Sequence, residues 1–167
     1  ACFNSKEGHI PSAFSILDIL YVLYNSILKV DPANPNDLSR DRFFLSKGHA
    51  SLGLYAILAD RGFFEIEELD SFGKFSSMLG GHPDCNKIPG VEANTGSLGH
   101  GMPFGTGLAL GNKILKRDQR VFVLVGDGEC QEGTIWEAAN IASNNHLESL
   151  VVIVDWNGSA AQLQPIE

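Results

Sequence analysis

The 167-residue sequence is short of cysteine, of basic charge and of long apolar runs, and each shortage removes a class of protein. Cys2, Cys85 and Cys130 stand far apart with no CxxC pair, which argues against a disulfide framework and for a reducing, cytoplasmic setting. Twelve Lys and Arg face 20 Asp and Glu, giving a formal net charge of −8. Nucleic-acid recognition needs clustered Lys and Arg, so no nucleic-acid partner is expected. No apolar run approaches the roughly 20 residues that span a bilayer, and no basic stretch leads into an apolar core at the start. A membrane role is therefore not expected. The histidines lack local spacing such as HxxxH, which disfavours a zinc site.

What remains is a composition of 44% hydrophobic and 19% charged residues, ordinary for a single globular domain able to bury a core. An acidic chain that bound a phosphorylated ligand would need a metal ion, backbone N–H groups and helix N-termini rather than a basic patch. Apolar spacing predicts a wide-faced, largely buried helix over residues 12–28, and DPANPN at 31–36 breaks it. Residues 42–46 (RFFLS) read as a short strand leading through Lys47-Gly48-His49 into a helix over about 50–61. An acidic surface helix is expected over 65–74, and a Gly-, Pro- and Asn-rich loop over 78–96.

The second half is more regular. A helix is expected over 99–116, a doubly covered strand over 120–125 (RVFVLV), a helix over 132–145 and a second buried strand over 150–155 (LVVIVD). Strand, helix, strand in this length is a βαβ unit with a right-handed crossover. The predicted fold class is therefore α/β, a parallel sheet flanked by helices on both faces. His146 is placed on the surface near a helix end.

Two motifs then fall at the C-terminal edge of that sheet, where open α/β sheets bind ligands. Gly126-Asp127-Gly128 follows the first strand, and Asp155-Trp156-Asn157-Gly158 follows the second. A lone GDG is often only a turn. Paired with a strand-terminal asparagine thirty residues later, it supplies a carboxylate and an amide oxygen, hard ligands suited to magnesium or calcium. Magnesium takes phosphate oxygens readily as its remaining ligands, and Gly126 and Gly128 leave room for a diphosphate at the backbone.

The segment from Gly126 to Asn157 resembles the thiamine-diphosphate signature. Further stretches extend the resemblance over nearly the whole chain, specifically to transketolases. KEGHIP at 6–11 is similar to their SGHP segment, RDRFFLSKGHAS at 40–51 to RDRFVLSKGHAS, and GGHPD at 80–84 to the GHPE or GHPD loop. PGVEANTGSLGHG at 89–101 resembles PGVEATTGPLGQG, and GDGECQEG with WEAA at 126–139 resembles the split-transketolase N-terminal subunit. Four of the five histidines (His9, His49, His82 and His100) directly follow a glycine, as loops gathered around one site would require. The sequence departs from the family at Glu7, at Ile10 and over 158–162, and it has His100 where many relatives have Gln.

The resemblance implies thiamine diphosphate with Mg2+ (Ca2+ or Mn2+ able to substitute) held by Asp127, Asn157 and the Ser159 carbonyl. It implies that His49, Gly96, Leu98, Gly99, Gly128 and Asn157 contact the cofactor. His9, His49 and His82 would work at the reaction centre, and Glu132 would join a carboxylate network at a subunit interface. The implied activity is transfer of a two-carbon ketol unit between sugar phosphates, as in the pentose phosphate pathway. The activating glutamate lies in the family on a second, pyrimidine-binding domain or C-terminal subunit that no segment here resembles. A dimer or heterotetramer is thus implied, with this domain over 1–167 incomplete at both ends. The alternatives are a deoxyxylulose-phosphate-synthase-like or 2-oxoacid-dehydrogenase-like enzyme, a Rossmann nucleotide site at Gly99-His100-Gly101, and a non-catalytic orphan subunit.

Overall fold

The computed structural model describes residues 8–158. Helix α1 (Ile10–Val22) runs into a π-helical turn (Leu23–Ile27) and is followed by strand β1 (Arg42–Leu45), a 3-10 turn at Gly48–Ala50 and α2 (Ser51–Asp60). After a long connection come α3 (Gly101–Ile114), β2 (Val121–Gly126), α4 (Gly133–Asn144) and β3 (Leu150–Asp155). The three strands are parallel in the order β1-β2-β3, with Phe43 opposite Phe122 and Gly126 opposite Asp155.

Side chains alternate along a strand, so the two faces of this sheet bury different partners. Phe43, Leu45, Phe122 and Leu124 join Ile16 and Leu20 of α1 and Leu54, Tyr55 and Leu58 of α2 in one core. Phe44, Val121, Val123 and Val125 join Met102 and Ala109 of α3 and Ile135 and Ala138 of α4 in a second. Every residue of β2 is buried, as the apolar run VFVLV at the centre of a parallel sheet requires. The layered α/β architecture with helices on both faces agrees with the expectation from sequence.

Charged residues fix where β1 lies. Arg40 and Arg42 both pair with Glu92, and Asp41 accepts hydrogen bonds from the Lys29 and Arg120 amides and from the Arg120 guanidinium. Burial pushes the Asp41 carboxyl upward, but these donors outweigh it and hold it below its ordinary value. The charged half of RDRFFLSKGHAS therefore anchors the strand that delivers its other half to the sheet edge.

Three expectations need correction. Helix α1 is not largely buried: Ile16 and Leu20 are fully covered, while Phe14 is 70% and Tyr21 57% exposed. Taken with the π turn, Ile10–Ile27 is 18 residues long with mean hydropathy 1.4, enough by length and composition to cross a membrane. Its inner stripe, however, packs on α2 and the sheet. The acidic stretch at 65–74 is no α-helix but a 3-10 segment (Ile66–Ser71), ended where Phe72 turns into the core and Gly73 takes φ 71°. Finally, β3 is not a fully buried strand. Val151, Val152 and Val154 keep 37–41% of their surface, because β3 is the edge of the described sheet and an open apolar cleft of about 540 Å³ lies between it and α4.

Candidate active site

Parallel pairing of β2 with β3 carries the Gly126-Asp127-Gly128 and Asp155-Trp156-Asn157-Gly158 motifs to one edge. Asp127 leaves β2 one residue after the Gly126–Asp155 pair, and Asn157 leaves β3 two residues after it. The two turns are stitched together: the Asp127 amide donates to the Asp155 carbonyl (3.3 Å), and the Gly158 amide donates to Asp127 Oδ2 (2.8 Å). Asp127 Oδ1 accepts from the Gly128 amide at 2.8 Å. Asp127 is buried and Asn157 exposed, so a carboxylate backed by protein stands beside an amide at the surface. Among the described residues no three His, Cys, Asp or Glu side chains converge into a metal cage. The donor set is one carboxylate and one amide, which suits a hard cation that draws its other ligands from water or a diphosphate.

Above this edge lies the loop leaving β1. Ser46 is fully buried, Lys47 is 3% exposed and His49 is half-buried. The His49 ring meets His9 edge-on at a centroid distance of 5.4 Å. His82 packs its ring over Gly96, where an added Cβ would stand 2.6 Å from Cδ2. Gly96 has φ 142° and Gly99 φ 80°, backbone conformations that L side chains rarely adopt. The structure thus brings His9, His49 and His82 into one neighbourhood with the 96–99 turn, as the glycine–histidine pairs suggested.

Burial, then the nearby charges of Lys47, His9 and His82, lower the His49 pKa from 6.5 to about 4, against the opposing pull of Asp155. Near neutral pH this imidazole is uncharged and keeps a lone pair for hydrogen bonding. The depressed value also links folding to pH. Between pH 6.5 and about 4 the unfolded chain takes up a proton at His49 that the folded chain refuses, so stability is lost as pH falls through that window. A His49→Asn variant is expected to lose less of its thermal midpoint than the parent across that range. Parallel curves from thermal unfolding at stepped pH would contradict this.

Other expected residues are placed less tellingly. Leu98 is 36% exposed beside the turn, and His100 stands at the N-cap position of α3 without a side-chain cap, its Nδ1 donating back to the Leu98 carbonyl at 3.0 Å. Glu132 is exposed at the N-cap of α4, its side chain against Gly99. His146 is exposed just past the end of α4. Ser159 lies outside the described residues. Gly99-His100-Gly101 follows a loop rather than a strand, which removes the context a Rossmann fingerprint needs.

The residue that reading the sequence missed is Glu129. It is 2% exposed, and its carboxylate accepts from Ser46 Oγ (2.5 Å), the Gly99 amide (2.9 Å) and the Gly126 amide (3.1 Å). One side chain therefore ties together the β1 loop, the 96–99 turn and the end of β2. An acid set directly after GDG at a strand end was the available signal.

Over residues 1–162 the chain matches the family described as the thiamine diphosphate binding domain of transketolase. It belongs to the transketolase family. One of the subunits of the apulose-4-phosphate transketolase of Phocaeicola vulgatus is 44% identical over 155 residues, covering 93% of this chain and 55% of that protein. The SqwG component of a 6-deoxy-6-sulfo-D-fructose transketolase of Clostridium sp. is 39% identical over 165 residues, covering 96% and 60%. In three dimensions the chain superposes on transketolase from Leishmania mexicana with a TM-score of 0.87 at 32% identity, over 92% of this chain and 24% of that one. The chain thus spans little more than half the length of the first two relatives and about a quarter of the Leishmania transketolase chain.

The transketolase cofactor is a fair test of the cradle. Cβ atoms at Gly48 or Gly96 would collide with neighbouring backbone or ring atoms at 2.6 Å, so the loops around the histidines close only over bare backbone. With the Asp127–Asn157 donor set below them, these residues fit a metal-bound diphosphate.

Proposed function

We propose that this chain is the diphosphate- and magnesium-binding half of a transketolase that moves a two-carbon ketol unit from a ketose phosphate to an aldose phosphate. The observation that carries the reading is the meeting of Asp127 and Asn157 at adjacent ends of β2 and β3, with three histidines gathered on the same edge.

In this reading Asp127, Asn157 and the Ser159 carbonyl hold Mg2+, with Ca2+ or Mn2+ able to substitute. Gly96, Leu98, Gly99 and Gly128 present backbone to the cofactor. Thiamine diphosphate, when bound, supplies an electron sink for breaking and making the carbon–carbon bond next to a carbonyl. His49, uncharged near neutral pH, hydrogen-bonds at the diphosphate and faces the reaction centre. His9 and His82 hold and move protons at the sugar's carbonyl and hydroxyl oxygens. The packed loops over the site exclude water, and Glu132 on the surface of α4 joins carboxylates across a subunit contact.

A pyrimidine-binding domain or C-terminal subunit completes the site, in a dimer or heterotetramer. The free thiols at Cys85 and Cys130 suit a cytoplasmic setting. Two of the relatives are named for unusual sugars, so modified ketoses belong in the substrate screen beside ordinary sugar phosphates.

The test is calorimetry of thiamine diphosphate with and without Mg2+, on this chain alone and mixed with a pyrimidine-binding half, followed by a ketol-transfer assay. Magnesium-dependent binding that needs the second half, and turnover of a ketose phosphate with an aldose phosphate, are expected. Absence of cofactor binding in every pairing would refute the reading.

A further inference from the structure

Lys47 and Asp155 form an ion pair at 2.5 Å, with side chains 3% and 6% exposed. Stability alone is a weak reason for such a pair, since removing two charges from water costs about as much as their attraction returns. Its place in the fold is more informative. Asp155 is the last residue of β3, two before Asn157, and Lys47 arrives from the loop after β1.

Asp155 Oδ2 collects three donors: Lys47 Nζ at 2.5 Å, Ser15 Oγ of α1 at 2.7 Å and Asn157 Nδ2 at 3.0 Å. The third decides an orientation. A carboxylate accepts only, so the nitrogen end of the Asn157 amide must face it and the oxygen end must point the other way. The main chain of Asp155 meanwhile accepts from the Asp127 amide, and Asp127 accepts from Gly158. One buried residue thereby holds the amide of one proposed ligand and the backbone of the other.

We infer that Asp155, clamped by Lys47 and Ser15, is the positioning residue that turns the Asn157 amide oxygen toward the divalent cation and so sets the affinity of the site for that cation. The inference rests on the function proposed above and adds to it a three-segment clamp that couples α1, the β1 loop and the end of β3 to the metal. Losing an outer partner of a metal ligand typically weakens metal binding 10- to 100-fold, which sets the expected effect at about that range.

The test uses the complete protein assembled with its pyrimidine-binding half. Two half-saturation points are read from the circular-dichroism change on cofactor binding: that for Mg2+ at saturating thiamine diphosphate, and that for thiamine diphosphate at saturating Mg2+. Asp155→Asn is expected to raise the first about 10- to 100-fold and to leave the second within about twofold. Asp155→Asn also strands the Lys47 charge, so Lys47→Met with Asp155→Leu serves as a charge-free partner variant whose cooperative unfolding is checked first. It should show the same split, with full cofactor uptake restored by excess Mg2+. An unchanged magnesium requirement in the folded double variant, an equal rise in both half-saturation points, or lost uptake that Mg2+ does not restore would each overturn the clamp. Asp127→Ala is run beside them. If it too keeps the parent's magnesium dependence, the proposed metal site itself falls, rather than the clamp alone.

Discussion

Asp127→Ala is expected to eliminate magnesium-dependent thiamine diphosphate binding, with affinity falling by more than about 100-fold. That exceeds the 10- to 100-fold range of an outer partner, because here the carboxylate itself is removed from the proposed coordination sphere. Only two protein side chains are available to the cation in this reading, Asp127 and Asn157, and Asp127 alone carries charge. In a chain of net charge −8 a diphosphate has little else to neutralise it. The fold should survive the change. Asp127 accepts two amide hydrogen bonds, from Gly128 and Gly158, both in turns where water can replace it, so the loss should be of order 1–2 kcal/mol. Asp127→Asn keeps one acceptor oxygen and should fall between parent and alanine variant in cofactor affinity, with unfolding close to the parent. Calorimetry and chemical denaturation on the same three proteins separate the effects. Retention of parent-like cofactor affinity in Asp127→Ala would remove the metal role.

How much of this site could be read before the fold was known depends on sequence distance. That Asp127 and Asn157 would meet was legible because each follows an apolar strand run, and parallel strands in a βαβ unit end at the same edge. His9, His49 and His82 were legible through the glycine that precedes each. The layered fold followed from RVFVLV and LVVIVD with a helical period between them. The Lys47–Asp155 pair was not legible: its members are 108 positions apart, and neither hydropathy nor local spacing links a lysine after one strand to an aspartate ending another. Glu129 had a local signal in its place directly after GDG, but its tie to Ser46 and Gly99, 83 and 30 positions away, had none. The error over β3 has a different origin. LVVIVD has the composition of a doubly covered strand, but cover is a property of neighbours, and among the described residues β3 has a neighbour only on the β2 side. The acidic stretch at 65–74 failed because helix propensity is a weak prior once a single aromatic, here Phe72, is drawn into the core.

Buried polar groups define this edge as much as the proposed ligands do. Ser46, Lys47, Glu129 and Asp155 are each at most 5% exposed, and all four take part in hydrogen bonds that cross from one segment to another. Such networks rigidify when every member is satisfied and are costly when one is left unpaired. The sheet edge is therefore built as a set of interlocked loops, and its weakest point should be where two of them touch with no side chain between.

That point is Gly48. A Cβ there would lie 2.6 Å from the Gly96 nitrogen and the Thr95 carbonyl carbon and 2.7 Å from the Thr95 oxygen. All three are backbone atoms, so no rotamer change relieves the collision, and the two loops must part by about an ångström or the 3-10 turn must rebuild. Neither is cheap. Ser46 and Lys47 just before it are tied to Glu129 and Asp155, and Gly96 just across is pressed by the His82 ring. Overpacking of this kind typically costs about 1–3 kcal/mol, and contacts confined to backbone put Gly48→Ala at the upper end or beyond. Parting the loops also moves His49 relative to His82, so cofactor affinity should fall by at least tenfold at temperatures where the variant is still folded. Gly62→Ala is a suitable control: Gly62 lies just past the end of α2, has φ 82° and meets nothing within 4 Å, so its cost comes from backbone strain alone. It should lose about 1 kcal/mol or a little more and leave cofactor affinity unchanged. If Gly48→Ala unfolds no more easily than Gly62→Ala and binds cofactor as the parent does, the 48 and 95–96 loops are not in close contact.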